Sequence, residues 1–124
     1  MPKRILVVDD EPDILQVAVF RLKKAGYDVA QAVNGREAID SIKALRPDLV
    51  LLDLRLPEIS GFEVCRIIKS DNELRNIPVI IFTASVNGLE EKMKEMGADA
   101  YLPKPFEPDQ LLEKIKSIIG KGNE

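Results

Sequence analysis

Pro47-Asp48-Leu49-Val50-Leu51-Leu52-Asp53 sets four consecutive apolar residues between two aspartates. A strand with one wet face alternates apolar and polar residues, so an unbroken run of four reads as a strand buried on both faces, in the middle of a parallel sheet. Comparable runs lie on either side of it: Ile5 to Val8, Tyr27 to Ala32, Ile77 to Phe82 and Ala100 to Leu102. Three of the five lack alternation. The segments between and after them, Pro12 to Ala25, Arg36 to Leu45, Phe62 to Ser70, Asn87 to Met96 and Pro108 to Ile119, carry apolar residues at three- and four-residue spacing. Gly26 and Gly97 stand where a left-handed helix C-cap is wanted, and Pro12 and Pro108 suit a first helical turn. The pattern is five β-α units. Right-handed crossovers then predict an α/β fold: a doubly wound, five-stranded parallel sheet with helices on both faces.

Composition limits what such a domain can be. The chain has 124 residues, 18 Lys plus Arg against 21 Asp plus Glu, one Cys and no His. That length suits one domain over residues 1–124, with 120–124 expected as a flexible tail and no room for a fused output domain. A net charge of -3 argues against direct nucleic-acid binding, which needs a basic face. One Cys closes no intramolecular disulfide, and the absence of His removes the usual zinc sites and the imidazole general base. No apolar run approaches the roughly 20 residues of a membrane span, so membrane insertion is not expected and a cytoplasmic location is.

In an open parallel sheet the strands' carboxyl ends share one rim, and the binding crevice lies there. Strand 1 runs into Asp9-Asp10-Glu11, strand 3 into Asp53, strand 4 into Thr83 and strand 5 into Lys104-Pro105; strand 2 ends in Ala32-Val33-Asn34-Gly35 with nothing comparable. Asp9, Asp10 and Asp53 should therefore converge with a hydroxyl and an ammonium. Three close carboxylates repel, and a divalent cation relieves them. Oxygen ligands without His or Cys favour Mg²⁺, with Mn²⁺ as the alternative, and Mg²⁺ sites are commonly completed by water and phosphate oxygens. Thr83 and Lys104 suit phosphoryl oxygens, and a carboxylate can act as nucleophile to form an acyl phosphate. Asp53 is the candidate nucleophile, since Asp9 and Asp10 look like a metal pair. Singly, each of these residues has a plain use as a cap, a turn or a solvated charge. Their coincidence at four of five strand ends is what points to phosphoryl chemistry.

The ordered set Asp9-Asp10, Asp53, Thr83-Ala84 and Lys104-Pro105 resembles the receiver domain of two-component response regulators, across nearly the whole chain. Three segments carry the likeness: Ile5-Leu6-Val7-Val8-Asp9-Asp10-Glu11; Pro47 to Asp53 with Pro57 and Gly61 beyond; and Gly97-Ala98-Asp99-Ala100-Tyr101-Leu102-Pro103-Lys104-Pro105-Phe106. The resemblance implies a CheY-like, flavodoxin-like (βα)5 sheet of order 2-1-3-4-5. It implies that Asp53 accepts a phosphoryl group from a histidine on a sensor kinase or phosphotransfer protein. Asp10 and Asp53 would bind Mg²⁺ with the Arg55 carbonyl, Asp9 contributing through water, while Thr83 and Lys104 hold the phosphoryl oxygens. It also implies a cis Lys104-Pro105 peptide, a Thr83–Tyr101 switch, and a changed face around helix 4, strand 5 and helix 5; with the length it leads to the expectation of a stand-alone receiver. Arg55 and Ser85 lie where the family tunes attack of water on the acyl phosphate. Leu56 and Ser60 depart from commoner residues without touching the chemistry.

Helix 1 adds a surface expectation. At 100° per residue, Ile14, Ala18, Leu22 and Ala25 form the inward stripe with Leu15 and Val19 at its margin, leaving Val17 and Phe20 outside. With Ile14, they form a candidate docking patch for the kinase beside the acidic rim. Met93, Met96 and Cys65 read as core, and Glu90 to Glu95 as a solvated face. Two other function classes fit less well. A phosphohydrolase with an aspartyl intermediate wants Asp-x-Asp after strand 1 and a cap domain, and a flavin carrier wants a Ser/Thr/Gly loop where Asp9-Asp10 would repel phosphate.

Overall fold

Each interior strand sends its odd-numbered and even-numbered side chains to opposite faces, and both sets are apolar. A computed structural model describes residues 2–84 and 87–120, and within them the strands are β1 (Arg4–Val8), β2 (Asp28–Ala32), β3 (Leu49–Leu52), β4 (Val79–Thr83) and β5 (Ala100–Pro103). They form one parallel sheet of order β2-β1-β3-β4-β5, with Ile5 opposite Leu49, Val50 opposite Val79 and Ile80 opposite Ala100. The helices are α1 (Pro12–Lys24), α2 (Gly35–Leu45), α3 (Gly61–Ser70), α4 (Leu89–Met96) and α5 (Pro108–Ile119). Ile5, Val7, Leu49, Leu51, Ile80 and Phe82 pack with Leu15, Ala18 and Leu22 of α1 and Leu111 and Ile115 of α5. On the other face Leu6, Val8, Val50, Leu52, Val79 and Ile81 pack with residues of α2, α3 and α4. Each fully buried Leu or Ile contributes about 2 kcal/mol, and β1, β3 and β4 are buried on both faces, with only Arg4 partly open.

Element ends follow the backbone hydrogen bonds. Pro12 and Pro108 occupy first turns, and Gly26 and Gly97 have φ of +98° and +77°. β2 begins at Asp28, because the Tyr27 N–H is spent on the Leu22 carbonyl that ends α1. β4 begins at Val79, where the predicted strand started at Ile77; Pro78 has no N–H, and the Val79 N–H goes to the Asp99 carboxylate at 2.8 Å. α4 begins two residues later than expected, because its N-cap is Gly88 at φ +68°, with no side-chain cap bond. On α1 the buried stripe is Leu15, Ala18 and Leu22; Ile14 is only partly covered, and Val17 and Phe20 are 49% and 60% exposed.

At the opposite end of the sheet from the acidic rim, Lys69 closes α3 onto the chain that follows it. Its ammonium donates to the Ile77 and Arg75 carbonyls at 2.7 and 3.1 Å and pairs with Asp99 at 2.8 Å. Cys65 is buried beside it, its thiol 3.4 Å from the Met96 carbonyl, and burial pushes that thiol up to about 11. Met96 and Leu89 are buried and Met93 is partly so, while Glu90, Glu91, Lys92, Lys94 and Glu95 face solvent. No described helix is long and apolar enough to cross a membrane. Ser85 and residues 121–124, most of the predicted tail, lie outside the described residues.

Candidate functional site

The sheet's hydrogen-bond ladder runs past the strands and sets the rim side by side. The Asp9 N–H donates to the Ala32 carbonyl at 3.2 Å, the Asp53 N–H to the Val8 carbonyl at 3.0 Å, and the Lys104 N–H to the Thr83 carbonyl at 2.9 Å. Asp9, Asp53, Thr83 and Lys104 therefore top four neighbouring strands. One carboxylate oxygen from each of Asp9, Asp10, Glu11 and Asp53 lies within 4.8 Å of the others. Glu11 was not foreseen as a member. As the N-cap of α1 it makes no side-chain cap bond, and its N–H donates to Asp9 Oδ1 at 2.9 Å, so its own carboxylate is left to face the cluster.

The Lys104 ammonium stands among these anions. Its Nζ lies 3.0 Å from Asp9 Oδ2, 3.2 Å from Asp53 Oδ2 and 3.6 Å from Glu11 Oε1, with the Phe82 ring 4.7 Å away. Asp9 and Asp53 are almost wholly buried, at 0% and 3% exposure. Burial pushes the Asp53 carboxyl above its ordinary range, against Lys104 and the Arg55 N–H, which pull it down. For Lys104, desolvation favours the neutral amine, but the hydrogen bonds and charges of Asp9 and Asp53 outweigh it and raise the ammonium's pKa. Phe82 is the other contributor that periodicity missed: it reads as a core residue, yet its ring also faces the ammonium. The Lys104-Pro105 peptide is cis.

The loop from β3 to α3 wraps the Asp53 side of the cluster. The Arg55 N–H donates to Asp53 Oδ1 at 3.2 Å, and the Gly61 N–H donates to the Leu54 carbonyl at 3.0 Å. Between them the Ile59 N–H reaches the Pro57 carbonyl at 2.9 Å, a tight turn that holds Glu58 at φ +68°. Ser60 caps α3 by accepting from the Glu63 N–H at 3.2 Å. Gly61 has to be glycine, since an added Cβ would overlap the Asp53 carbonyl oxygen and lie 2.7 Å from Leu54 Cα.

Two hollows open beside the rim. One, of about 460 Å³, runs from Lys104 along Ile14, Val17, Pro105 and Phe106; it joins the predicted α1 patch to the acidic cluster, with Phe20 exposed beyond its lining. The other, of about 290 Å³, brings Thr83 together with Arg55 and Lys92 of α4. Thr83 is buried, and Tyr101 on β5 is 41% exposed, a half-buried strand aromatic.

This arrangement can be compared with known proteins. The sequence profile of the response regulator receiver domain matches residues 5–116. The chain belongs to this family. The receiver is 42% identical over 123 residues to the polar-differentiation response regulator DivK of Brucella anthropi, covering 97% of this chain and 98% of DivK. It is 36% identical to the DNA-binding response regulator MtrA of Mycolicibacterium smegmatis, where it covers 100% of this chain but only 54% of MtrA. Among solved structures, a putative response regulator from Chloroflexus aurantiacus superposes with a TM-score of 0.92 at 32% identity, over 98% of this chain and 100% of that one. The receiver domain of a sensor histidine kinase from Pseudomonas aeruginosa, solved with a magnesium ion coordinated in the active site cleft, gives 0.89 at 32% identity over the same shares. The fold and the two-component signalling family are therefore those the resemblance implied.

Proposed function

We propose that this receiver accepts a phosphoryl group on Asp53 from a histidine of a partner kinase or phosphotransfer protein, and that the modified state alters a protein-binding face around α4, β5 and α5. The observation that carries the reading is the Lys104 ammonium held between Asp9 and Asp53 on the rim that also bears Thr83. Asp53 supplies the nucleophilic oxygen: an O–P bond forms at its carboxylate, the donor's N–P bond breaks, and the electron pair leaves with the imidazole nitrogen, which takes up a proton. Lys104 and the Thr83 hydroxyl serve the phosphoryl oxygens, and the Arg55 N–H holds the second Asp53 oxygen. Hydrolysis returns the carboxylate, with Arg55 and Ser85 tuning its rate.

The donor set fits a hard divalent cation: four clustered carboxylates, no His in the chain, and the one Cys buried elsewhere. Asp9, Asp10 and Asp53, with the Arg55 carbonyl, would hold Mg²⁺. When bound, the ion offsets the charge of the acceptor and the phosphoryl oxygens. The magnesium-bearing cleft of the Pseudomonas receiver supports this choice. The phosphate brings about −1.5 to −2 charges; drawing Thr83 toward it frees space into which Tyr101 turns, which shifts the population of the output face. Ile14, Val17 and Phe20 line the approach for the donor protein.

Incubation with Mg²⁺ and a small acyl-phosphate donor, followed by intact mass, tests the reading. One phosphoryl adduct is expected in the wild type and none in Asp53→Asn. An adduct that persists in the variant, or none in either protein, would sink it.

A further inference from the structure

Asn34-Gly35 opens α2 next to the loop that carries Asp53. A Cβ added to Gly35 would fall on the Ile59 carbonyl oxygen, 2.7 Å from Ile59 Cβ and 3.0 Å from its carbonyl carbon. Backbone cannot be approached that closely, so with any side chain here one of the two segments must move. α2 is the firmer: Asn34 Oδ1 accepts from the Glu37 N–H at 2.8 Å, and Ala38 and Ile42 are fully buried. The loop is the softer. It has no regular structure between β3 and α3, turns through an exposed non-glycine residue in the left-handed region, and carries Ile59 only six residues beyond Asp53.

We infer that Gly35 is a positioning residue for the phosphoacceptor loop. Its missing side chain lets Ile59 seat against the first turn of α2, and that seat sets where the Arg55 carbonyl and the Asp53 carboxylate stand. Beyond the Ala32 carbonyl that accepts from the Asp9 N–H, the β2–α2 corner acts on the rim through packing. This inference rests on the reading of Asp53 and Arg55 as the cation-binding acceptor loop.

The test is a Mg²⁺ titration followed by amide chemical shifts of the ¹⁵N-labelled full chain, for wild type, Gly35→Ala and Gly97→Ala. Gly97 is the matched control: at φ +77° with an added Cβ 3.2 Å from Lys69 Cγ, it destabilises through α4 and leaves the loop alone. Half-saturating Mg²⁺ is expected to rise at least fivefold in Gly35→Ala and to stay within twofold of wild type in Gly97→Ala, although both unfold at lower urea. Should Gly35→Ala not fold, Ile59→Gly, which removes the seat without adding bulk, decides by the same fivefold criterion. A folded Gly35→Ala that binds Mg²⁺ within twofold of wild type, or equal weakening in both glycine variants, overturns the inference. A wild type whose Asp53 and Arg55 amides ignore Mg²⁺ overturns the functional reading with it, so the two failures are told apart.

Discussion

Replacing Lys104 by methionine should make the rim bind Mg²⁺ more tightly. The ammonium sits 3.0 and 3.2 Å from Asp9 and Asp53, where a divalent ion would compete for the same oxygens. Two unit charges 4 Å apart interact by about 1 kcal/mol in water, so a doubly charged ion meets about 2 kcal/mol of repulsion from the lysine, and several times that at the lower effective dielectric of a partly buried site. The figure in water is the floor for this site, and it corresponds to a gain in affinity of about thirtyfold. Calorimetric titration of wild type and Lys104→Met at one ionic strength measures this. Because Lys104 is 9% exposed, the difference should persist in high salt, unlike that of an exposed pair. Without metal the variant should be the less stable protein by about 3 to 5 kcal/mol, since Asp9 and Asp53 remain buried without their counter-charge. Added Mg²⁺ should return more stability to it than to wild type. Equal or weaker Mg²⁺ binding by a folded Lys104→Met would refute the competition.

Three further outcomes follow from other parts of the molecule. Val17→Asp, in the hollow that leads to Lys104, should slow transfer from the cognate kinase at least tenfold and leave acyl-phosphate labelling unchanged; equal slowing of both in a rate assay removes the docking role. Lys69→Met leaves the Arg75 and Ile77 carbonyls without the ammonium and Asp99 with the Val79 N–H but no counter-charge and should cost about 2 to 4 kcal/mol in urea unfolding, whereas a loss under 1 kcal/mol would show that water replaces the ammonium. Cys65 has its folded pKa raised from 9.0 to about 11 by burial, so its contribution is whole below pH 9 and is lost as pH rises toward 11. Wild type should therefore lose about 2 to 3 kcal/mol over that window relative to Cys65→Ala; parallel stability curves would refute it.

The sheet was legible because buried parallel strands need unbroken apolar runs, and Leu49 to Leu52 supplies one between two aspartates. The rim was legible because parallel strands deliver their ends to one edge, so Asp9, Asp53, Thr83 and Lys104 met although up to 95 residues separate them. The strand order was supplied by likeness to a family, since alternation alone ranks no neighbours. What stayed hidden depends on geometry between distant segments. Periodicity makes Lys69 a surface lysine, and only the fold shows its ammonium 2.8 Å from Asp99. The late start of α4 turns on the left-handed Gly88, Glu11 joins the cluster because its backbone, not its side chain, serves the cap, and the contact between Gly35 and Ile59 has no signature in either segment.

The short helix α4 carries one more consequence. It is eight residues long, has a left-handed glycine at each end and no side-chain cap, and buries only Leu89 and Met96. Its C-terminal end lies against the Cys65 thiol and is followed by Asp99, which is tied to Lys69, while its N-terminal end follows the strand that ends in Thr83. In hydrogen exchange such a segment opens at a small fraction of the global unfolding free energy. Under the proposed function, the energy of one new phosphoryl contact at Thr83 would be enough to re-seat this helix while the sheet beneath it stays closed.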